Sequence, residues 1–295
     1  MATEVGVKVL QGGGNAVDAA VAVSFALAVV NPEAGNVGGG GFLLLRQPDG
    51  EAAALDFRSR APRAATRDML LEADGSVSER AVIGRLSAAV AGSVQGMWDL
   101  HQRFGRTEWR ALLEPAVRLA RGFVVRPRLL SSYTPAVLEG LARFPASART
   151  FLPAGSPPVV GTTFAQPELA RTLERIQQSG PDGFYRGETA RLIAEEMERG
   201  GGLITESDLA DYRTEWREPV RFRYRGYTAL SMPPSSSGGV ALAESANMLD
   251  GVDLSATDWH GALHVHLLTE TWRRAYADRN HYVADPAFHL SLIHI

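Results

Sequence analysis

The sequence predicts an α/β protein, and three features indicate that fold class. Apolar residues run almost without interruption from Ala16 to Val30, which is typical of a buried helix. Two short apolar runs, Phe42–Leu45 and Ala52–Phe57, flank a turn and predict a hairpin. From Ala88 to Gly122 the apolar residues recur at helical spacing. A helical region therefore follows a small sheet.

The first elements follow from small residues and turn residues. Met1–Leu10 has a helical pattern, which Gly12–Asn15 interrupt. The helix over residues 16–30 is expected to end at Asn31-Pro32, because the residue before a proline avoids helical geometry. Asp49-Gly50 supplies the turn of the hairpin. Continuous apolar runs of this kind predict that both strands are buried.

The sequence predicts that the middle of the chain is an irregular connection followed by helices. Residues 144–161 are rich in Pro, Ser and Ala and predict an irregular surface segment. Pro167–Gln178 and Glu188–Arg199 are predicted helices, and Gly200–Gly202 closes the second one. Thr205 to Asp208 has the spacing of a capping box, which predicts the start of another helix.

The last third predicts a strand pair and two helices. In Val220–Arg225 apolar and aromatic residues alternate with arginine, and Tyr227–Met232 continues the pattern after one glycine. We expect these runs to form a half-exposed antiparallel pair. Pro233–Gly239 forms a loop into a helix over Val240–Leu249, and His260–Tyr282 is the last long helix.

Composition excludes several classes of function. Thirty basic and 33 acidic side chains give a formal net charge of −3, so no basic field would gather nucleic acid or an anionic membrane. The chain has no cysteine, and Lys8 is its only lysine. A covalent catalyst must therefore be Ser, Thr or a carboxylate. No apolar run reaches the ~20 residues of a membrane-spanning helix.

Two small-residue segments invite a functional interpretation. Gly38–Gly41 is glycine-rich like a phosphate loop, but it precedes a strand and no Lys-Ser/Thr follows it. The favoured alternative is that these glycines let backbones approach closely. Ser235–Ser237 lacks the upstream glycine of a nucleophile elbow, so a turn that caps the next helix is favoured.

Three histidines resemble a metal set. His260 and His264 are four residues apart and would share a helix face, but His266 points elsewhere. Position 261 is Gly where the zinc-protease motif has Glu, and no carboxylate completes the group. The sequence therefore predicts no metal site.

Arg58 is the candidate binding residue. It follows a predicted strand and precedes Pro62, and loops at strand ends commonly display binding groups. A guanidinium there can hold a carboxylate through two parallel hydrogen bonds. The structural alternative is that Arg58 pairs with Asp56 or with a distant glutamate.

A series of short motifs extends over nearly the whole chain. They are Gly13–Ala20, Gly38–Phe42, Phe57-Arg58 with Ala61-Pro62, Gly105-Arg106 with Trp109, Pro115-Ala116 with Gly122-Phe123, Gly183–Gly187, Asp208–Tyr212, Pro233–Gly239 and Ala275–Arg279. Taken together and in this order, these motifs resemble the gamma-glutamyltransferases.

The resemblance implies an α/β fold of the N-terminal-nucleophile hydrolase type, an αββα sandwich, made as a proenzyme that cuts itself into a large and a small subunit. The new N-terminal Thr would attack γ-glutamyl substrates such as glutathione, without metal or organic cofactor. Arg58 matches the family's arginine that holds the α-carboxylate of the substrate. The resemblance also implies a periplasmic or secreted location.

The sequence departs from the family near its end. The family's Thr-Thr-His segment lies beyond the region of Asp278-Arg279, so no catalytic nucleophile is expected in this chain, and Thr162-Thr163 is a decoy because Phe164 follows it. We expect residues 1–288 to be the large-subunit portion, 289–295 to be an unmatched tail, and the sandwich to be incomplete without the small subunit. The chain by itself is expected to be inactive. Alternatives are an acylase of the cephalosporin type on the same fold, or a remnant without chemistry.

Overall fold

A computed structural model describes residues 1–35 and 37–288, so the predicted tail at 289–295 lies outside the described residues. Its contacts divide the chain into two compact units. Unit 1 contains Met1–Gly41 and Phe57–Thr214, and unit 2 contains Phe42–Asp56 and the chain from Glu215 onward.

Helices carry most of the regular structure in the described residues. The α-helices are α1 Ala2–Gln11, α2 Ala16–Val30, α3 Ser93–Phe104, α4 Trp109–Arg121, α5 Pro127–Leu130, α6 Pro135–Ala142, α7 Pro145–Phe151, α8 Pro167–Ser179, α9 Asp182–Tyr185, α10 Gly187–Gly200, α11 Glu206–Ala210, α12 Gly238–Asp250 and α13 Ala262–Tyr282. Single 3₁₀ turns lie at Glu79–Ala81, Pro153–Gly155 and Leu254–Ala256. The strands are β1 Phe42–Arg46, β2 Ala52–Asp56, β3 Phe123–Val124, β4 Thr163–Phe164, β5 Glu215–Arg217, β6 Val220–Tyr224 and β7 Tyr227–Ser231.

The core of unit 1 lies among α2, α4 and α8. α2 spans the predicted residues and is apolar on most of its surface, with Val21, Ala22 and Val29 fully buried. The α4 ring of Trp109 packs edge-on against Phe25 of α2, and its indole nitrogen donates to the Ile176 carbonyl of α8 at 3.0 Å. Helices without a polar face are stable only when other helices cover them, which is the case here.

Asp18 joins the start of α2 to the loop before α4. Its side chain is fully buried and forms a capping box with Asn15, each side chain accepting from the other's backbone N–H at 2.9 Å. The other donors to this carboxylate are the backbone nitrogens of Arg106 and Thr107 and the Thr107 hydroxyl, at 2.9, 3.2 and 3.1 Å. Burial alone raises the pKa of Asp18, but these hydrogen bonds outweigh it and hold the pKa below its ordinary value.

Residues 144–161 are more regular than the sequence predicts. Pro145–Phe151 is a helix and a 3₁₀ turn follows it, so the expectation of a fully irregular segment was wrong. Proline lies at the first position of α7, where its fixed φ favours a helix and its missing N–H costs nothing. Small β3 and β4 pair antiparallel on either side of this region, with Phe123 opposite Phe164.

Unit 2 contains the predicted hairpin inside a three-stranded sheet. β1 pairs antiparallel with β2, and β2 with β5, so the strand order is β1-β2-β5. The expectation that both hairpin strands are buried was wrong for β1, because Leu44 is 41% exposed. In β2, Ala54 and Leu55 are fully buried. A central strand is covered more completely than an edge strand, which explains the difference.

The second strand pair is confirmed. β6 and β7 form an antiparallel hairpin with Tyr224 opposite Tyr227. Arg225 and Gly226 form its two-residue turn, and both have positive φ, 48° and 84°. Positive φ at both central residues is typical of the type I′ turn, whose twist matches that of a hairpin. Among the described residues, no helix has both the length and the apolar character needed to cross a membrane.

We predict that Asp18→Asn destabilises the chain by about 3 kcal/mol at neutral pH, because an amide group would face backbone donors that now reach a carboxylate. Thermal or urea unfolding measures the loss. Asp68→Asn is the matched control, since the Asp68 side chain is 70% exposed.

The same pair of variants also has a pH signature. A lowered folded-state pKa means that the Asp18 carboxylate stabilises the fold above its unfolded pKa and loses this effect as the pH falls through the folded pKa. The gap between the parent and Asp18→Asn should therefore narrow below about pH 4. An equal gap at pH 7 and pH 3 would contradict the assignment.

Candidate functional site

The backbone around Arg58 is fixed although its side chain is exposed. Phe57 is buried, and its backbone exchanges two hydrogen bonds with Gly41, at 3.0 and 3.2 Å. Two residues further on, Arg60 exchanges two with Val90, at 2.8 and 3.0 Å. Arg58 therefore lies between two pairs of backbone hydrogen bonds, with its side chain on the surface of unit 1.

Glycines let this segment pack against its neighbours without side chains between them. A methyl group on Gly92 would overlap the Phe57 carbonyl oxygen and the Tyr212 hydroxyl, and one on Gly96 would overlap the Phe57 ring. A methyl group on Gly40 would overlap the backbone nitrogen of Ser59 and lie 2.7 Å from the Phe57 carbonyl oxygen. The prediction of close backbone approach at the glycine run is confirmed.

The start of α3 is hydrogen-bonded to the Gly38–Gly41 segment. The backbone nitrogens of Gly92 and Ser93 donate to the Gly39 carbonyl at 2.7 and 3.0 Å. Free N–H groups at a helix start are what a phosphate would use. Here a backbone carbonyl takes two of them, in agreement with the reading of Gly38–Gly41 as a structural segment.

Two buried tyrosines hold the Arg58 segment and the adjacent start of α3 through hydrogen bonds. The Tyr212 hydroxyl donates to the Arg58 carbonyl at 2.8 Å, and the Tyr185 hydroxyl donates to the Ala91 carbonyl at 3.0 Å. Their rings stack with centroids 5.7 Å apart and planes 6° from parallel. Burial raises the pKa of Tyr185, so its hydroxyl stays protonated and can donate. Tyr185 lies in the Gly183–Gly187 motif and Tyr212 in the Asp208–Tyr212 motif, but the sequence did not predict this role for either residue.

Asp208 fixes the far end of the same segment. Its side chain caps α11 through Thr205 and also accepts from the backbone nitrogen of Arg63 at 3.0 Å. Burial raises the pKa of Asp208, but the hydrogen bonds from Thr205 and Arg63 outweigh it and lower the pKa below its ordinary value. The predicted capping box is confirmed, and it also holds the loop that contains Arg58.

The serines lie in unit 2, beside Asp56. The Ser235 hydroxyl donates to the Asp56 carboxylate at 3.3 Å, and Arg217 of β5 donates to the same oxygen at 3.4 Å. The Ser236 hydroxyl accepts from the Gly238 nitrogen at the first residue of α12 at 3.3 Å, whereas the side chain of the N-cap residue, Ser237, makes no capping hydrogen bond. Asp56 thus has structural partners within its own unit.

The histidines do not share one helix. α13 begins at Ala262, so His260 precedes it, and the argument from helix spacing was wrong for this residue. His260 has a φ of 60° and stacks on Trp259, whereas His264 is buried with its Nδ1 3.1 Å from the Thr257 hydroxyl. Within residues 1–35 and 37–288, no three His, Asp or Glu side chains are placed to hold a metal ion.

Comparisons with known proteins agree over nearly the whole chain. The family model described as gamma-glutamyltranspeptidase matches residues 2–294. A glutathione hydrolase proenzyme of Escherichia coli is 43% identical over 289 residues, which are 97% of this chain and 50% of that protein. The chain therefore spans about half the length of the curated relatives it matches.

Solved structures show the same similarity. The crystal structure of Helicobacter pylori gamma-glutamyltranspeptidase superposes with a TM-score of 0.95 at 41% identity, over 99% of this chain and 84% of that one. A cephalosporin acylase from Bacillus halodurans gives a TM-score of 0.88 at 32% identity, over 98% of this chain and 54% of that one.

We predict that Gly40→Ala lowers the melting temperature by several degrees, because the methyl group meets backbone atoms that cannot rotate away. Gly140→Ala in α6 is the matched control. No atom lies within 4 Å of its methyl position, and alanine favours a helix by up to ~1 kcal/mol over glycine. Equal melting temperatures for the two variants would show that the close approach at Gly40 is not needed.

Proposed function

Since the chain belongs to the gamma-glutamyltranspeptidase family, we propose that the full-length protein carrying it transfers γ-glutamyl groups from glutathione and other γ-glutamyl amides to water or to an amine. Family membership confirms the N-terminal-nucleophile hydrolase fold, with which the mixed helices and sheets described above agree. Arg58 is the residue through which this chain would take part in binding the donor.

One observation carries the proposed role of Arg58. Its side chain is exposed, whereas its backbone is held by Tyr212 and by the hydrogen-bonded pairs on either side. A guanidinium on such a fixed base presents two parallel N–H groups in a defined direction. The α-carboxylate of a γ-glutamyl group is a planar acceptor that matches this fork. A fixed arginine therefore both binds the donor and orients its γ-carbonyl.

The proposed chemistry uses a threonine outside this chain. Its hydroxyl attacks the γ-carbonyl carbon, and the threonine's own α-amino group takes the proton. Collapse of the tetrahedral intermediate breaks the amide bond and releases the protonated amine, which leaves a γ-glutamyl ester on the threonine. Water or an acceptor amine then attacks this ester and restores the hydroxyl. No metal or organic cofactor takes part in these steps.

The second half of the site would come from a small subunit cut from the same proenzyme. The relatives' name, glutathione hydrolase proenzyme, and the half-length coverage support this partner. We further propose a periplasmic or secreted location, which rests on the family resemblance.

An acylase is the second candidate, and the similarity to the cephalosporin acylase supports it. A glutaryl group is a simple analogue that lacks only the α-amino group of a γ-glutamyl group and carries its carboxylate at the same distance from the scissile carbonyl. Arg58 would bind either carboxylate. Selection for the amine must therefore depend on residues other than Arg58.

We predict that Arg58→Ala in the full-length protein lowers kcat/KM for a γ-glutamyl anilide by roughly 30-fold or more, because the loss of a charged contact typically costs about 2 to 5 kcal/mol. Arg58→Lys keeps the charge but loses the two parallel N–H groups, so its kcat/KM should lie between those of the parent and Arg58→Ala. Self-cleavage of the proenzyme should be unchanged. Arg67→Ala is the control, since the Arg67 side chain is 94% exposed.

The structural alternative makes the opposite prediction. If Arg58 serves only to pair with Asp56, Arg58→Ala should lower the melting temperature while the donor kinetics stay near those of the parent. Melting temperature and kcat/KM measured on the same protein separate the two, and unchanged kinetics would rule out the binding role.

A comparison of two anilides tests the choice between the candidate activities. A transferase specific for γ-glutamyl groups should cleave the γ-glutamyl anilide at least about 100-fold faster, in kcat/KM, than the glutaryl anilide that lacks the amine. Arg58→Ala should impair both substrates alike. A preference for the glutaryl anilide would favour the acylase.

A further inference from the structure

Unit 1 contains a polar pocket of about 360 Å³ with two arginines in its wall. It lies between α3, the turn before α9, and the chain that follows α11. Its lining includes Gln95, Trp98, Asp182, Arg186, Tyr212 and Arg213. The volume is within the range of small-molecule sites.

The two guanidinium groups converge on one backbone oxygen. Arg213 Nη1 donates to the Ala210 carbonyl at 2.9 Å, and Arg186 Nη2 reaches the same oxygen at 3.5 Å. Arg213 Nη1 also donates to the Tyr212 carbonyl at 2.6 Å. These bonds hold the two guanidinium groups close together, so a carboxylate placed between them could pair with both.

The nearby carboxylates do not balance both arginines. Asp182 lies in the wall and its oxygen is 3.3 Å from Arg186 Nε. Asp99 accepts from Gln95 and Thr214, and Asp211 pairs with Arg63. Two guanidiniums therefore face the pocket against the single carboxylate in its lining, which leaves a positive charge for a ligand.

Trp98 is a half-buried aromatic residue in the pocket lining. Its ring lies edge-to-face with that of Trp109, with ring centroids 5.0 Å apart, and it packs against the backbone turn at Gly180. Tyr185 and Tyr212, which are both buried, also line the pocket. An aromatic side chain held beside two guanidinium groups favours a ligand that carries an anionic group on an apolar body.

We propose that this pocket binds a small carboxylate with a flat apolar body. The carboxylate would lie between Arg186 and Arg213, and the apolar body against Trp98. The proposal does not use Arg58 as a ligand contact, although Tyr185 and Tyr212 line the pocket and also hold the Arg58 segment.

Benzoate is a suitable probe, and benzamide is its uncharged counterpart of the same shape. Calorimetric titration of the full-length protein should show saturable binding of benzoate and much weaker binding of benzamide. Arg186→Gln and Arg213→Gln should each weaken benzoate binding by about tenfold or more, as expected for a lost charged hydrogen bond. Arg191→Gln is the control, since Arg191 pairs with Glu195 on the surface of α10.

A variant that should bind benzoate more tightly distinguishes a lost ligand contact from a folding defect. Asp182→Asn removes the carboxylate that competes for Arg186, so it should tighten benzoate binding by about two- to fivefold, which a damaged pocket would not do. Trp98→Phe should reduce the quenching of tryptophan fluorescence by benzoate. Equal binding of benzoate and benzamide, weaker binding by Asp182→Asn, or the absence of saturable binding would each overturn the proposal.

Discussion

The close contact between the Phe57 carbonyl and the turn at Gly92 is the constraint on which the candidate site depends. No side chain fits between these two segments, because even a methyl group on Gly92 would overlap both that oxygen and the Tyr212 hydroxyl. The Tyr212 hydroxyl can reach the Arg58 carbonyl only because Gly92 has no side chain in the space between them. Backbone atoms that pack this closely have one arrangement, so the base of Arg58 is fixed by packing and not by its own side chain.

The same contact explains why motifs far apart in the sequence belong to one structure. Gly39 accepts from the start of α3, Tyr185 bonds the carbonyl next to that start, and Tyr212 bonds the Arg58 carbonyl. Each of these residues gives a hydrogen-bond partner to a backbone group of a segment distant in sequence. Several of the motifs that resemble the family's therefore contain residues that hold the Arg58 segment in place.

Sequence patterns predicted the elements whose causes are local. The capping box at Thr205 and the helix over residues 16–30 depend on side chains within one or two turns of each other, and both were found. The failures depend on tertiary surroundings. β1 is as apolar as β2 in sequence, but among the described residues it lies at the edge of its sheet, and the exposure of Leu44 follows from this strand order and not from composition. Tyr185 and Tyr212 are 27 positions apart, and no periodic pattern shows that they stack.

Asp18 has a further consequence for the order of events during synthesis of the chain. Its partners at Arg106 and Thr107 leave the ribosome 88 and 89 residues after it, a delay of roughly 4 to 18 s at ~5–20 residues per second. Until then only one of the four donors to the Asp18 carboxylate, the backbone nitrogen of Asn15, has been made. The start of α2 therefore reaches its final set of hydrogen bonds only when the chain beyond α3 has been made.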